Sequence, residues 1–486
     1  MEIISWQFLL YLLITITVYY TLNRRAQNIW LVIASAGFAA SHGWQNLIPL
    51  TVIAGVTWLA GLRLAESGRR WWLTAGIASN VIALAFYRLA ASPLVFPAGP
   101  VDHLLVPVGM SFYTLQSISY LIEISRGKIA AEKGLIDLSL YLLYFPKFLA
   151  GPIARSERFL PQLKEPRVVD NQKAARGFTF ILYGLVRKVA VAEVLFTLIP
   201  KNFLLTPFVD LPFAAGLPPL QVSTYVTPVS NIDRLIAVVC YGLYLYNDFA
   251  GYTLIMRGIS LLMGIELPPN FREPYFATTL SEFWSKWHIS LSSWLRDFIY
   301  FPLTRRLKKS TLANFTLIPV AVPLVVTMVT AGVWHGLTVP FLVWGLLYGA
   351  MLTIEQLAFQ SCPALRPQQR SVFYRVLSSL FTFIILSLAW IPFAAGSWRE
   401  IAAFPAYLSQ PALWARAPEI SPWAVIVAAV SFPLDAIQAY YRDWLSEARI
   451  PTLLRAAIVA AFLILLFLAF TWTRPYTSNV FIYQAF

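Results

Sequence analysis

The chain has 486 residues, 58% of them hydrophobic and 12% charged, whereas a soluble globular domain carries about 25% charge. A water-soluble fold built on a single core is excluded. The net charge of +14 comes from 37 basic and 23 acidic residues, but the Lys and Arg residues sit in short loops between apolar runs. That is the positive-inside signature of a membrane protein, so membrane lipids, and no nucleic acid, are the expected surroundings.

A membrane helix needs roughly 20 apolar residues, and the chain predicts an all-α polytopic membrane protein with about 11–13 membrane helices on that criterion. Re-entrant or interfacial helices around a central channel complete the expected fold. The first span, from about Ile4 to Thr21, lacks a basic n-region and a small-residue cleavage site and is expected to be retained. Arg24 and Arg25, then Arg63, Arg69 and Arg70, then Arg126, Lys128 and Lys133 mark inner loops. They alternate with basic-poor stretches at 41–46 and 91–103, which puts the N-terminus outside.

The run Leu138 to Pro152 is short, interrupted by Pro146 and Gly151, and flanked on both sides by basic residues, so it is expected to enter from the inside and return. The span from about Phe178 to Ile199 carries Arg187 and Lys188 near its middle. Cations at that depth must face a polar interior, or the helix must break and let them snorkel. A span from about Leu235 to Met263 contains Asn247 and Asp248 within YNDFAGYT. An intramembrane carboxylate points either to a functional site or to a packing role beside Tyr or Arg.

A Pro-punctuated linker, ELPPNFREPYF, then leads to the stretch Thr278 to Arg306, rich in Trp and charge. On one continuous helix Trp284, Trp287, His288, Leu291, Leu295 and Phe298 share a face, with Lys286, Ser293 and Asp297 opposite. Basic residues at both ends predict that this helix lies along or dips into the inner face. The following span, about Leu317 to Trp334, then runs outward and delivers His335 to the outer half of the bilayer. Later spans are expected near 339–359, 373–394, 424–439 and 453–472, with an outer amphipathic cap over 396–422.

Four histidines, two cysteines and no ligand-spaced cluster give no metal site, and there is no GxSxG or Gly-rich phosphate loop. His42 and His103 read as ordinary interfacial residues. His335, in GVWHG, stands next to a glycine where a ligand can approach closely. A buried neutral imidazole suits removal of a proton from an attacking alcohol, though a structural helix-terminal His has the same pattern. His288 has the same ambiguity, and a proton-coupled transporter also uses intramembrane Asp and His.

Taken together, YNDFAGY, MGIELPPNFREPYF, SEFWSKWHISLSSWLRDFIYFPL and GVWHG, with LLVPVGMSFYTLQSISYLIEISRGK and YFPKFLAGPIARSERFLPQL upstream and NVFIYQAF at the end, resemble the membrane-bound O-acyltransferases. The likeness is to the bacterial branch that holds the alginate O-acetylation and teichoic-acid D-alanylation proteins. One departure is PLTRRLKK where alginate-type members carry a PLGGN-like turn, which speaks to substrate or partner rather than to chemistry. The resemblance implies one integral membrane domain over 1–486, with N-terminal helices in 1–100, a catalytic core in 101–360 and C-terminal helices in 361–486.

It also implies a plasma-membrane enzyme with no bound cofactor. Its acyl thioester co-substrate would be acetyl-CoA or an acyl-carrier protein on the cytoplasmic side. The acceptor would be an extracytoplasmic glycan or a secreted or periplasmic acyltransferase partner. His335 takes the essential catalytic position and His288 the second, on the inner side of a pore. Asp248, Asn247, Trp284, Trp287, Trp334, Ser292, Arg296 and Asp297 are the candidate lining residues.

Overall fold

A computed structural model describes residues 2–90, 107–167, 169–200, 203–204, 229–315, 317–367, 370–440 and 452–473, and every described element is helical. His103, most of the outer segment 200–231 and the closing NVFIYQAF lie outside the described residues. Six helical stretches are long and apolar enough to cross a membrane: Trp44–Ser67, Arg70–Ala90, Ile318–His335, Val339–Ser361, Val372–Ala394 and Pro422–Ala439.

The chain begins with α1 (Trp6–Thr21), α2 (Arg24–Ala40), α3 (Leu47–Ser67), α4 (Arg70–Ala90) and α5 (Met110–Ser125). Ser5 and Asn23 accept from the backbone N–H groups of Phe8 and Ala26, so each of the first two helices starts on a side-chain cap. His42, at the outer end of α2, hydrogen-bonds the Phe38 carbonyl and packs on its ring, an ordinary role.

Next come α6 (Leu135–Leu143), α7 (Phe145–Phe148) and α8 (Ser156–Lys164), the segment read as re-entrant. Asn28, near the start of α2, donates to Asp137 at the beginning of α6 (2.7 Å) and to the Leu163 carbonyl at the end of α8 (3.2 Å). Arg24 donates to the Lys164 carbonyl at 2.5 Å. One helix end therefore anchors both ends of the segment, which folds back on itself. Its tip is buried in protein, with Lys147 hydrogen-bonded to the Gln116 side chain and the Tyr141 carbonyl, as irregular backbone at membrane depth requires.

Then α9 (Asn171–Leu185), a π-helical turn (Val186–Glu193) and α10 (Val194–Leu198) run without interruption. They pack on α11 (Asn231–Leu262), whose 32 residues make the longest helix. Four glycines set this crossing. A Cβ on Gly184 would stand 2.6 Å from the Gly251 carbonyl oxygen, one on Gly251 2.7 Å from that of Gly184, and one on Gly258 2.5 Å from that of Gly177. Small residues let membrane helices approach backbone to backbone. Gly258→Ala is expected to cost about 1–3 kcal/mol by overpacking, read as a lower midpoint in thermal unfolding of the detergent-solubilised protein.

The close crossing answers the question raised by Arg187 and Lys188. The helix does not break and the pair does not snorkel; the π turn aims both cations into protein. Lys188 pairs with Asp248. Arg187 pairs with Asp435 and donates to the Asn247 side-chain oxygen at 3.0 Å.

After the dip, formed by α12 (Leu280–Lys286), α13 (Ile289–Leu295), a π turn (Arg296–Tyr300) and α14 (Phe301–Lys308), the chain crosses as α15 (Ile318–His335) and α16 (Val339–Ser361). The helices α17 (Val372–Ala389), α18 (Ile391–Ala394), α19 (Trp398–Leu408) and α20 (Pro411–Ala415) follow. The segment read as an outer cap forms two short helices, and they and the residues after them hold the N-terminal end of α11. Asn231 donates to the Tyr407 carbonyl at 2.9 Å, and the Asp233 carboxylate accepts from the backbone of Glu419 and Ile420. The span read at 424–439 is present, with a turn at Val430 that divides it into α21 (Pro422–Ala429) and α22 (Ser431–Tyr440), and α23 (Thr452–Thr473) follows.

Candidate active site

The stretch read as one amphipathic helix is broken at its middle, and this corrects the sequence expectation. Thr279 caps α12 by accepting from the Glu282 N–H, and Glu282 reaches back to the Thr278 N–H (2.8 Å), an arrangement close to a capping box. The helix stops after Lys286. His288 adopts φ +43°, ψ 52°, a left-handed conformation that a non-glycine residue takes at a cost of about 1–3 kcal/mol.

The linker before the dip enforces the break. The Asn270 carbonyl accepts from Ile289 N–H at 2.8 Å, its side-chain oxygen accepts from Ser290 N–H at 3.3 Å, and Arg272 N–H donates to the Lys286 carbonyl at 3.0 Å. Ser292 donates its hydroxyl to the Trp287 carbonyl at 2.9 Å, which secures the turn. Glu273, in the same linker, is also left-handed.

Contacts along α16 and α5 trace the path of the dip. At its start Leu280 and Ser281 N–H donate to the Glu355 carboxylate, near the inner end of α16. Further along, Trp284 packs edge-on against Tyr348 and Trp344. On the return limb Trp294 donates to the Leu115 carbonyl of α5, and Phe298 lies beneath Arg126 and Arg155 at the inner end. The segment is a V with His288 at its buried apex, 1% exposed.

At that apex the two histidines meet. The Trp334 indole packs against both, its centroid 6.0 Å from the His288 ring and 4.9 Å from the His335 ring. Phe249 packs edge-on against His288 at 4.8 Å and Phe112 lies 6.3 Å away. Around His335 are Phe393 (5.1 Å), Trp344 (5.4 Å) and Phe341 (6.0 Å). The expectation had placed the imidazoles towards opposite sides of the membrane; the structure brings them together around one aromatic side chain. Two imidazoles held dry within aromatic walls can act on one reacting centre as base and positioning group.

The other candidates divide. Trp334 belongs to this centre, and Trp287 lies beside the apex against Trp390, Phe271 and Phe283. Trp284 stands on the inner limb. Asn247 and Asp248 point away from the imidazoles into the Arg187 and Lys188 cluster, where Asn247 also donates to Ser431 at 2.7 Å. Arg296 and Asp297 sit on the return limb near the inner surface, Asp297 paired with Arg155 at 2.8 Å and with Arg296 at 3.3 Å.

Asn270, Phe249, Phe112 and Glu355 escaped the sequence reading because each acts through a partner distant in sequence. Arg88 escaped too, though it carried a signal: an arginine at the outer end of an apolar span goes against the positive-inside trend.

The profile of the membrane-bound O-acyltransferase family matches residues 128–394, more than half of the chain. The chain belongs to the membrane-bound O-acyltransferase family. This O-acyltransferase is 32% identical over 419 residues to "Probable alginate O-acetylase AlgI" of Azotobacter vinelandii, covering 81% of this chain and 76% of that one. It is 28% identical to a "Peptidoglycan O-acetyltransferase" of Helicobacter pylori (78% and 73% covered). It is 27% identical to a "Teichoic acid D-alanyltransferase" of Bacillus subtilis (53% and 60% covered). The protein is thus a multi-pass membrane acyltransferase, as the motifs led one to expect. The matched residues 128–394 hold the linker, the dip and both histidines.

Proposed function

We propose that this acyltransferase moves an acyl group, in the first instance acetyl, from a cytoplasmic thioester to a hydroxyl of an extracytoplasmic polysaccharide or of an acyl-relay partner. The membrane is the plasma membrane, and the thioester is acetyl-CoA or an acyl-carrier protein. The observation that carries this reading is the meeting of the two buried imidazoles across Trp334, one on a V entered from the inner side and the other at the outward end of α15. His335 takes the hydroxyl proton as the oxygen attacks the thioester carbonyl carbon. The C–S bond breaks, and the leaving thiolate recovers that proton. His288 orients the donor, with Trp284 and Trp287 lining its approach from the inner face.

The relatives favour O-acetylation over D-alanylation, since the alginate and peptidoglycan proteins align over more of this chain than the teichoic-acid protein does. The test uses proteoliposomes with labelled acetyl-CoA outside and de-esterified surface glycan from the producing cells inside. Labelled ester on the enclosed glycan is the expected result. Glycan crossing the membrane without any new ester would instead identify a proton-coupled exporter and overturn the proposal.

A further inference from the structure

The proposed base sits on the last residue of a helix, and helix ends leave backbone carbonyls without intrahelical partners. In a membrane such carbonyls must be satisfied by protein, because no bulk water reaches them. The helix α15 stops at His335 because Gly336 is extended (φ −178°, ψ 151°). Its final carbonyls are met by one residue. Arg88, in the last turn of α4, donates to the His335 carbonyl at 3.2 Å and to the Trp334 carbonyl at 3.1 Å. The same guanidinium donates to the Ser111 hydroxyl in the first turn of α5 at 2.9 Å. The Trp334 indole N–H donates to the Ser111 carbonyl at 3.3 Å.

The turn bearing both Trp334 and His335 is therefore clamped to α4 and α5, and a cation at a helix C-terminus is favoured by the helix dipole as well. A planar guanidinium can bridge two carbonyls and a hydroxyl at once, whereas an ammonium is a point donor. We propose that Arg88, supplied by α4, is a positioning residue that fixes the aim of the His335 imidazole; this rests on His335 acting as base.

The test compares Arg88→Gln and Arg88→Lys with wild type in the proteoliposome assay, with acetyl-CoA and the extracted glycan, alongside thermal unfolding in detergent. A displacement of about 1 Å can cost on the order of 10²-fold in rate. The expected result is that Arg88→Gln lowers kcat by about that factor with the KM for acetyl-CoA unchanged and the protein still folded at the assay temperature. Arg88→Lys should recover only part of the loss. Wild-type kcat in Arg88→Gln, or a loss matched by a lower midpoint in both variants, overturns the proposal. Activity surviving in His335→Ala would instead refute the base assignment, which keeps the two failures distinguishable.

Discussion

Replacing His335 with Ala or Gln lowers the rate of acyl transfer by about 10²–10⁴-fold, the range that a general base contributes. The Gln variant is the more informative of the two. It keeps polar atoms and similar bulk within the ring of Trp334, Trp344, Phe341 and Phe393, yet cannot take a proton near neutral pH. A loss in Ala that Gln restored would therefore assign His335 to packing. His288→Ala should act differently. Its imidazole packs against Phe249 at the apex of the V, so its removal is expected to raise the KM for the donor as well as to lower kcat. Both variants are read in proteoliposomes at matched protein content.

Asp435→Ala destabilises the protein by about 3–5 kcal/mol, the cost of leaving a buried charge uncompensated. Arg187 is fully buried, and Asp435 is the carboxylate it pairs with. The Tyr246 hydroxyl also donates to Asp435 at 2.7 Å, and the Arg187 guanidinium lies over the Tyr246 ring at 5.0 Å. Removing both charges together removes the penalty, since apolar replacements of a buried ion pair are often neutral. Arg187→Met combined with Asp435→Leu is thus expected to be more stable than Asp435→Ala alone. Thermal unfolding in detergent decides the matter: a double variant no better than the single one would show that the pair is not an isolated charge couple.

Much of the architecture was legible in the sequence because lipid imposes simple rules on it. Apolar length gave the spans, and basic residues on both sides of Leu138 to Pro152 gave the hairpin that Asn28 and Arg24 anchor at both ends. The charge pattern also marked 278–306 as a segment that does not cross. The break at His288 was not legible. A periodicity of 100° describes 280–286 and 289–295 equally well, and nothing local to the dip forces the left-handed residue between them. Asn270 does so from the preceding linker. The same reasoning explains Asp248. Its depth was visible, but its partner Lys188 belongs to another helix, brought near by a crossing that only the four glycines permit. The meeting of His288 and His335 is a further product of the V, which carries the inner histidine to the end of α15.

The Arg187–Asp435 pair bears on how this enzyme can be recombined with its relatives. The arginine lies within residues 128–394, which match the family profile, and its carboxylate lies C-terminal to them, so those residues alone are not a transplantable module. A chimera joined near residue 394 would place a foreign C-terminal tail against Arg187, Asn247 and Tyr246. It would assemble only where that tail returned a carboxylate to the position of Asp435 and a hydroxyl to that of Ser431. Swaps of acceptor-facing segments between relatives should therefore carry these groups as a single unit of exchange.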